Sequence, residues 1–215
     1  AAAGMPDEKL ASALTPLLKD KETPVRDAAL DALVARTDEK ERRAAARAIA
    51  ALVRPLEREP KAEDLALEKV LVPALHDLAQ KESIEPLLAD VHMEAPAEWI
   101  RARLRAVANV PCAEAVEALI DYGSRRRAGD GHRNAVREAL KYAVGVDLTG
   151  DPDRWRAWWR EAKGAFDFEA AAARREAERK AKEGREQRRE ERGKRREDRE
   201  KPDKPDTPDM PDTPD

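Results

Sequence analysis

Through about residue 145, apolar residues recur at the three- and four-residue steps of amphipathic helices. Leu10, Leu14, Leu17 and Leu18 fall at i, i+4, i+7 and i+8, with Ala13 beside them, on a single apolar face. Asp7 is placed to cap this first helix. Asp20 to Thr23 reads as a turn, with Thr23 as the cap of a second helix and Pro24 as its first position. Val25, Ala28, Ala29, Ala32 and Leu33 form that helix's stripe. A third helix over about 38–58 turns Ile49, Leu52, Val53 and Leu56 inward, and a fourth over about 62–80 uses Leu67, Val70, Leu71, Ala74, Leu75 and Leu78. A short fifth carries Ile84, Leu87, Leu88 and Val91; a sixth, opening at Ala97, carries Ile100, Leu104 and Val107. The seventh has Val116, Leu119 and Ile120, and the eighth Val136, Leu140 and Val144. Nowhere do β-branched and aromatic residues alternate with polar ones between turn residues, so no strand is expected.

Taken in pairs, these helices predict an all-α fold, a short α-solenoid of about four helical hairpins, and internal echoes support that reading. The run from Leu14 to Asp20 (LTPLLKD) returns as Ile84 to Asp90 (IEPLLAD). More loosely, Thr23 to Leu33 returns as Asp130 to Leu140. Pro16, Pro55, Pro73 and Pro86 fall inside expected helices, where each removes a backbone donor and bends the helix.

Pro16, Leu17, Leu18, Asp20, Val25 and Arg26 stand, in order, where HEAT repeats carry a proline followed by leucines, an aspartate at the turn, and a Val-Arg pair opening the second helix. The segment from Leu14 to Leu33 resembles a HEAT repeat on those residues. Later units match less well. The second lacks the Asp-to-Val-Arg turn, and the third has extra residues, His92 to Pro96, before Ile100 and Arg101. The resemblance spans roughly residues 7–146, with a generic α-solenoid as the alternative. The segment from Val146 to Trp159 is similar to a Trp-rich closing segment on HEAT-repeat proteins of planctomycete-like bacteria, many of them exported.

From Phe166 the composition changes. Residues 170–200 are nearly all Ala, Glu, Arg and Lys without an apolar heptad, so no coiled coil is expected. Glu176/Lys180 and Glu178/Lys182 support a helix, while Gly184 and Gly193 each weaken it by about 1 kcal/mol. The Pro-Asp repeats of residues 201–215 form neither helix nor sheet. The expected organisation is a disordered start over 1–6, a HEAT-type body over 7–164, a marginal charged helix or spacer over 165–200, and an extended tail over 201–215.

Charge narrows the function classes. Of 215 residues, 42 are Lys or Arg and 45 Asp or Glu, a net −3 that gives no global attraction to nucleic acid or anionic lipid. No apolar run approaches the roughly 18 residues of a membrane span. Cys112 is the only cysteine, so no internal disulfide forms. The small-residue start, Ala1-Ala2-Ala3-Gly4, is what remains after signal-peptide cleavage, and predicts export to the periplasm or beyond; a cytoplasmic chain with a processed start is the alternative.

Catalytic chemistry is sparse. His76, His92 and His132 lie in separate hairpins without a second ligand at i+3 or i+4, and no His-Glu dipeptide of the kind HEAT-like di-iron hydroxylases use is present. No metal or other cofactor is expected. Cys112 follows Pro111 at a helix start, which lowers a thiol pKa, but lacks a His partner and reads as a buried structural cysteine. Glycine-rich phosphate loops and nucleophile elbows are missing from the sequence.

Trp155, Trp158 and Trp159 occupy i, i+3 and i+4 of a short helix capped by Asp151 and opened by Pro152. They suit a lid on the last hairpin, with Trp159 the indole expected to face a ligand groove. Arg26, Arg101, Arg103, Arg105, Arg133 and Arg137 open the second helices of their hairpins. An internal ladder with Asp20, Asp90 and Asp121 is expected for Arg26, and a contact surface for Arg101 and Arg105. Residues 170–200 hold 13 basic and 9 acidic residues, a local +4 whose interleaved acids favour a solvated spacer over a polyanion site.

These features predict a monomeric, non-catalytic scaffold that takes a protein or peptide in a HEAT-type groove, with Arg101, Arg105 and Trp159 as contacts. The alternatives are a nucleic-acid binder, by analogy with HEAT-like alkylpurine DNA glycosylases, and an accessory protein of an enzyme system, resembling bilin lyase-like repeats.

Overall fold

Local rules decide most helix ends. The computed structural model describes residues 7–20, 22–92, 94–125 and 130–200. The expected disordered segments 1–6 and 201–215 lie outside the described residues, as does the side chain of Asp7. The chain is all-helical, with α1 Asp7–Leu14, α2 Thr23–Val34, α3 Glu39–Ala50, α4 Ala62–Leu78 and α5 Ile84–Leu88. After these come α6 Ala97–Asn109, α7 Ala113–Gly123, α8 Asp130–Val144, α9 Pro152–Ala162 and α10 Phe168–Glu200. There is no strand among the described residues.

Three prolines act differently from the expected bends. Pro16 ends α1, and the chain tightens into a 3-10 turn over Thr15–Lys19. Pro55 disfavours helical geometry at Arg54, so α3 stops at Ala50 instead of running to about residue 58. Pro86 sits in the first turn of α5, where no intrahelical donor is required. Only Pro73 lies well inside a helix, α4. Released from α3, Leu56 makes an isolated parallel bridge to Val91. Its amide donates to the Asp90 carbonyl at 3.0 Å, and the His92 amide donates to its carbonyl at 2.7 Å.

The caps follow side-chain chemistry. The Asp38 carboxylate accepts from the amides of Lys40 and Glu41 and starts α3. The Asp151 carboxylate accepts from the Asp153 amide and starts α9, as expected. Thr23, expected as a cap, is already the first residue of α2; its hydroxyl accepts from Arg26 Nη2 at 2.9 Å instead.

The chain divides into two compact units, residues 1–172 and 173–215. In the first, substantial contacts join helices no more than two apart in the chain. α2, α4, α6 and α8 touch in succession, as do α1 with α3, α5 with α7 and α7 with α9, while sequence neighbours pack across between the two series. Several side-chain hydrogen bonds between helices span 33 or 35 residues. Asn109 Nδ2 donates to the His76 carbonyl and Tyr142 Oη to Asn109 Oδ1, both 33 residues apart. Arg47 to Glu82 and Arg103 to Glu68 span 35 residues. The aligned positions Ala74, Val107 and Leu140 are all buried. Gly123 keeps one step tight: a Cβ there would meet Val136 Cγ1 at 2.9 Å, so α7 and α8 approach more closely than a side chain allows.

The first unit runs to residue 172, past Gly164, the expected end; Phe166 and Phe168 pack against the core. Asp167 accepts from the Ala170 amide at the start of α10, a cap not anticipated from sequence. α10 then runs unbroken through Gly184 and Gly193, where the sequence predicts only marginal helix.

Candidate functional site: a groove between α6 and α8

On α6, Glu98, Arg101 and Arg105 fall at i, i+3 and i+7 and are exposed, while Ile100, Arg103, Leu104 and Val107 face inward. Opposite them, α8 contributes Ala135, Glu138 and Ala139. Between the two rows lies a surface groove of about 320 Å³ lined by both arginines. Ala102, Ala135 and Ala139 make its floor shallow and smooth, because small side chains leave room above the backbone. The Arg105 guanidinium lies 3.0 Å from the centroid of the Tyr142 ring, a cation–π contact that fixes one wall. Tyr142 is held in turn by its bond to Asn109. Arg101 and Arg105 thus line the same groove.

The third expected residue does not join them. Trp159 is 4% exposed, and Trp155 2%. Residues at i and i+4 share a stripe, so Trp155 and Trp159 turn inward together and Trp158 is left half-buried at the flank. Trp159 packs edge-to-face on Phe166 at 5.6 Å and Phe168 at 6.1 Å. Those two phenylalanines sit beyond the segment the sequence marks as a lid, so the lid is larger than expected. Trp155 Nε1 donates to the Thr149 carbonyl at 2.9 Å.

The remaining arginines divide by local partners. Arg26 donates to the backbone carbonyl of Asp20, while the Asp20 carboxylate accepts from the Glu22 amide, so the expected ladder carboxylate serves the turn. Arg137 and Lys141 both reach Asp147, at 2.7 and 2.8 Å, and hold its carboxyl below the usual range, Arg137 foremost. Asp121 meets Arg156 of α9 at 3.5 Å. Arg103 is 1% exposed, donates from Nε and Nη2 to both Glu68 oxygens, and also reaches the Arg54 carbonyl. This bidentate pair was not foreseen. Arg103 does lie on the apolar stripe of α6, but Glu68 is 35 residues away.

Cys112 is the N-cap of α7, yet burial raises its thiol pKa more than the Ala115 amide lowers it. His76 pairs with Asp77 at 3.0 Å, and His92 Nδ1 accepts from the Glu94 amide. His132 stacks on Tyr122 at 6.1 Å, its Nε2 is buried without a partner, and burial lowers its pKa from 6.5. The unfolded chain therefore takes up this proton first as pH falls below about 6.5, and stability declines until the folded pKa is passed. His132→Gln is expected to flatten that part of the pH–stability curve, measured by urea melts between about pH 7 and pH 5; an unchanged slope would assign it to other groups.

Comparisons with family models, characterised proteins and solved structures give no match to this chain. Among the described residues no helix is long and apolar enough to cross a membrane, and no three His, Cys, Asp or Glu side chains converge as a metal would require.

Proposed function

We propose that residues 7–172 form a short HEAT-like α-solenoid that binds a protein or peptide segment in the groove between α6 and α8. The order of contacts supports the solenoid: helices pack chiefly on neighbours one or two places along the chain, the pattern of stacked hairpins. The step of 33 to 35 residues between equivalent contacts is shorter than the roughly 40–47 of standard HEAT units, which favours compact hairpins of a divergent type. In such a stack α2, α4, α6 and α8 are the second helices of their hairpins and share one face.

The groove itself carries the binding assignment. Its floor of alanines admits an extended or helical segment. Arg101 provides a fork of donors for a carboxylate, Arg105 a flat cation stacked on Tyr142, and Glu98 and Glu138 counter-charges that set register. A mixed rim over an apolar floor is the usual anatomy of a peptide site. The chemistry is recognition, with specificity from charge order along the segment.

Peptides selected against the intact protein from a random library test this reading. Ala102→Trp fills the groove, and Arg101→Glu inverts its charge. Each is expected to weaken selected peptides by tenfold or more; Arg101→Glu, at an exposed position, should leave the thermal midpoint within a few degrees, while Ala102→Trp, at a position partly buried against the core, should lower it further. Peptides that bind the two variants as tightly as the parent chain would place recognition elsewhere.

A further inference from the structure

Three charged side chains of the α6–α8 groove are not engaged by the fold. Glu98, Arg101 and Glu138 line it and are exposed, and none makes a hydrogen bond or ion pair among the described residues. Charged neighbours on the same two helices are engaged: Arg103 with Glu68, Arg105 with the Tyr142 ring, and Arg137 with Asp147.

The two helices run parallel and in step. The bond from Tyr142 to Asn109 joins positions 33 residues apart towards their C-terminal ends. Nearer their N-terminal ends the groove joins residues 98–105 to residues 135–139. The same offset sets Ala135 level with Ala102, and Glu138 level with Arg105. At a rise of ~1.5 Å per residue, the order along the groove is acidic, basic, acidic, at about 0, 4.5 and 10.5 Å, with the gap between Ala102 and Ala135 at about 6 Å.

Those steps equal three, four and seven residues of helix, because helices build the groove. A third helix laid along it repeats them on one face, at i, i+3, i+4 and i+7. An extended chain spaces its same-side residues ~6.6–6.8 Å apart, which misses the first step. The small side chains of Ala102, Ala135 and Ala139 let a helix backbone come close.

On the proposal that this groove is a peptide site, we infer that its ligand is an α-helical segment of a partner protein with a fixed charge order. That segment carries a basic residue at i, an acidic one at i+3, an apolar one at i+4 and a basic one at i+7. The first meets Glu98, the second accepts from the Arg101 guanidinium, the third enters between Ala102 and Ala135, and the last meets Glu138. In this mode apolar contact in the groove supplies affinity, while the charges fix register and reject wrong partners.

Stapled peptides of about 15 residues are the probe, since helices this short are marginal alone. One carries the basic–acidic–basic order at i, i+3 and i+7. A second has each of those three charges reversed. A third keeps the first order but has proline at i+5 and no staple, so that it cannot be helical. Binding to the full chain is measured by fluorescence anisotropy, and the first peptide is expected to bind at least tenfold more tightly than either of the others. In the chain carrying Glu98→Lys, Arg101→Glu and Glu138→Lys, the preference between the two helical peptides is expected to invert, a result that loss of fold cannot produce. If both helical peptides bind equally and Ala102→Trp still weakens them, the groove stands as a peptide site and the charge order is overturned. Binding of the proline peptide as tightly as the first would overturn the helical ligand, and so would failure of the first peptide to bind. Binding that Ala102→Trp leaves unchanged would instead overturn the groove as the site.

Discussion

Trp155→Ala is expected to destabilise the body by about 3–5 kcal/mol, the range for removing a buried tryptophan. The side chain is 2% exposed, stacks edge-on against Trp158 at 6.0 Å, and spends its indole donor on the Thr149 carbonyl. Truncation opens a cavity and orphans that carbonyl together. Against a total of about 5–15 kcal/mol, such a loss brings the domain near its unfolding threshold. In the proposed stack the damage is expected to be local, because each unit touches mainly its neighbours. Amide exchange should rise first in α7 and α8, with α1 and α2 little changed. Trp158→Ala, at the half-buried position, is expected to cost much less, while Trp159→Ala should approach the Trp155 value. Equal and small effects at all three positions would contradict the packed lid.

Breaking the Glu68–Arg103 pair is expected to have a similar effect. Glu68→Ala leaves a guanidinium that is 1% exposed with the Arg54 carbonyl still accepting from Nη2, while Arg103 Nη1 already lacks a partner. Removing one member of a buried ion pair typically costs about 3–5 kcal/mol, since the other stays behind uncompensated. Replacing both, as Glu68→Leu with Arg103→Met, is expected to recover most or all of the loss, because apolar side chains of similar volume carry no desolvation penalty. Urea melts of the two single variants and the double variant read this directly as a coupling energy. A double variant as unstable as the sum of the singles would mean that the two side chains act separately, and that the pair does not join α4 to α6.

Much of the helical content is legible from local sequence. Ile100, Leu104 and Val107 mark the buried face of α6, and the same spacing places Arg101 and Arg105 on its outer face without reference to any other helix. Pro152 after Asp151 fixes the start of α9 for reasons internal to one turn. The tryptophan spacing also contained its answer. Positions i and i+4 pair more closely than i and i+3 with this stripe, and weighting that difference would have turned Trp159 inward.

What remained was decided by residues far apart in the chain. The end of α3 at Ala50 follows from Pro55, but the burial of Leu56 depends on the loop at Asp90 to His92 that pairs with it. Arg103 is as basic as its neighbours at 101 and 105. Glu68, 35 residues earlier, supplies both carboxylate oxygens to it in the interior. Phe166 and Phe168 extend the body because Trp159 offers them an apolar face. Periodicity and capping are properties of a few consecutive residues, so the sequence by itself determined the helices and their faces. The partner of a buried charge and the limit of a packed core depend on which helices meet, and only the tertiary structure brings those residues within bonding distance.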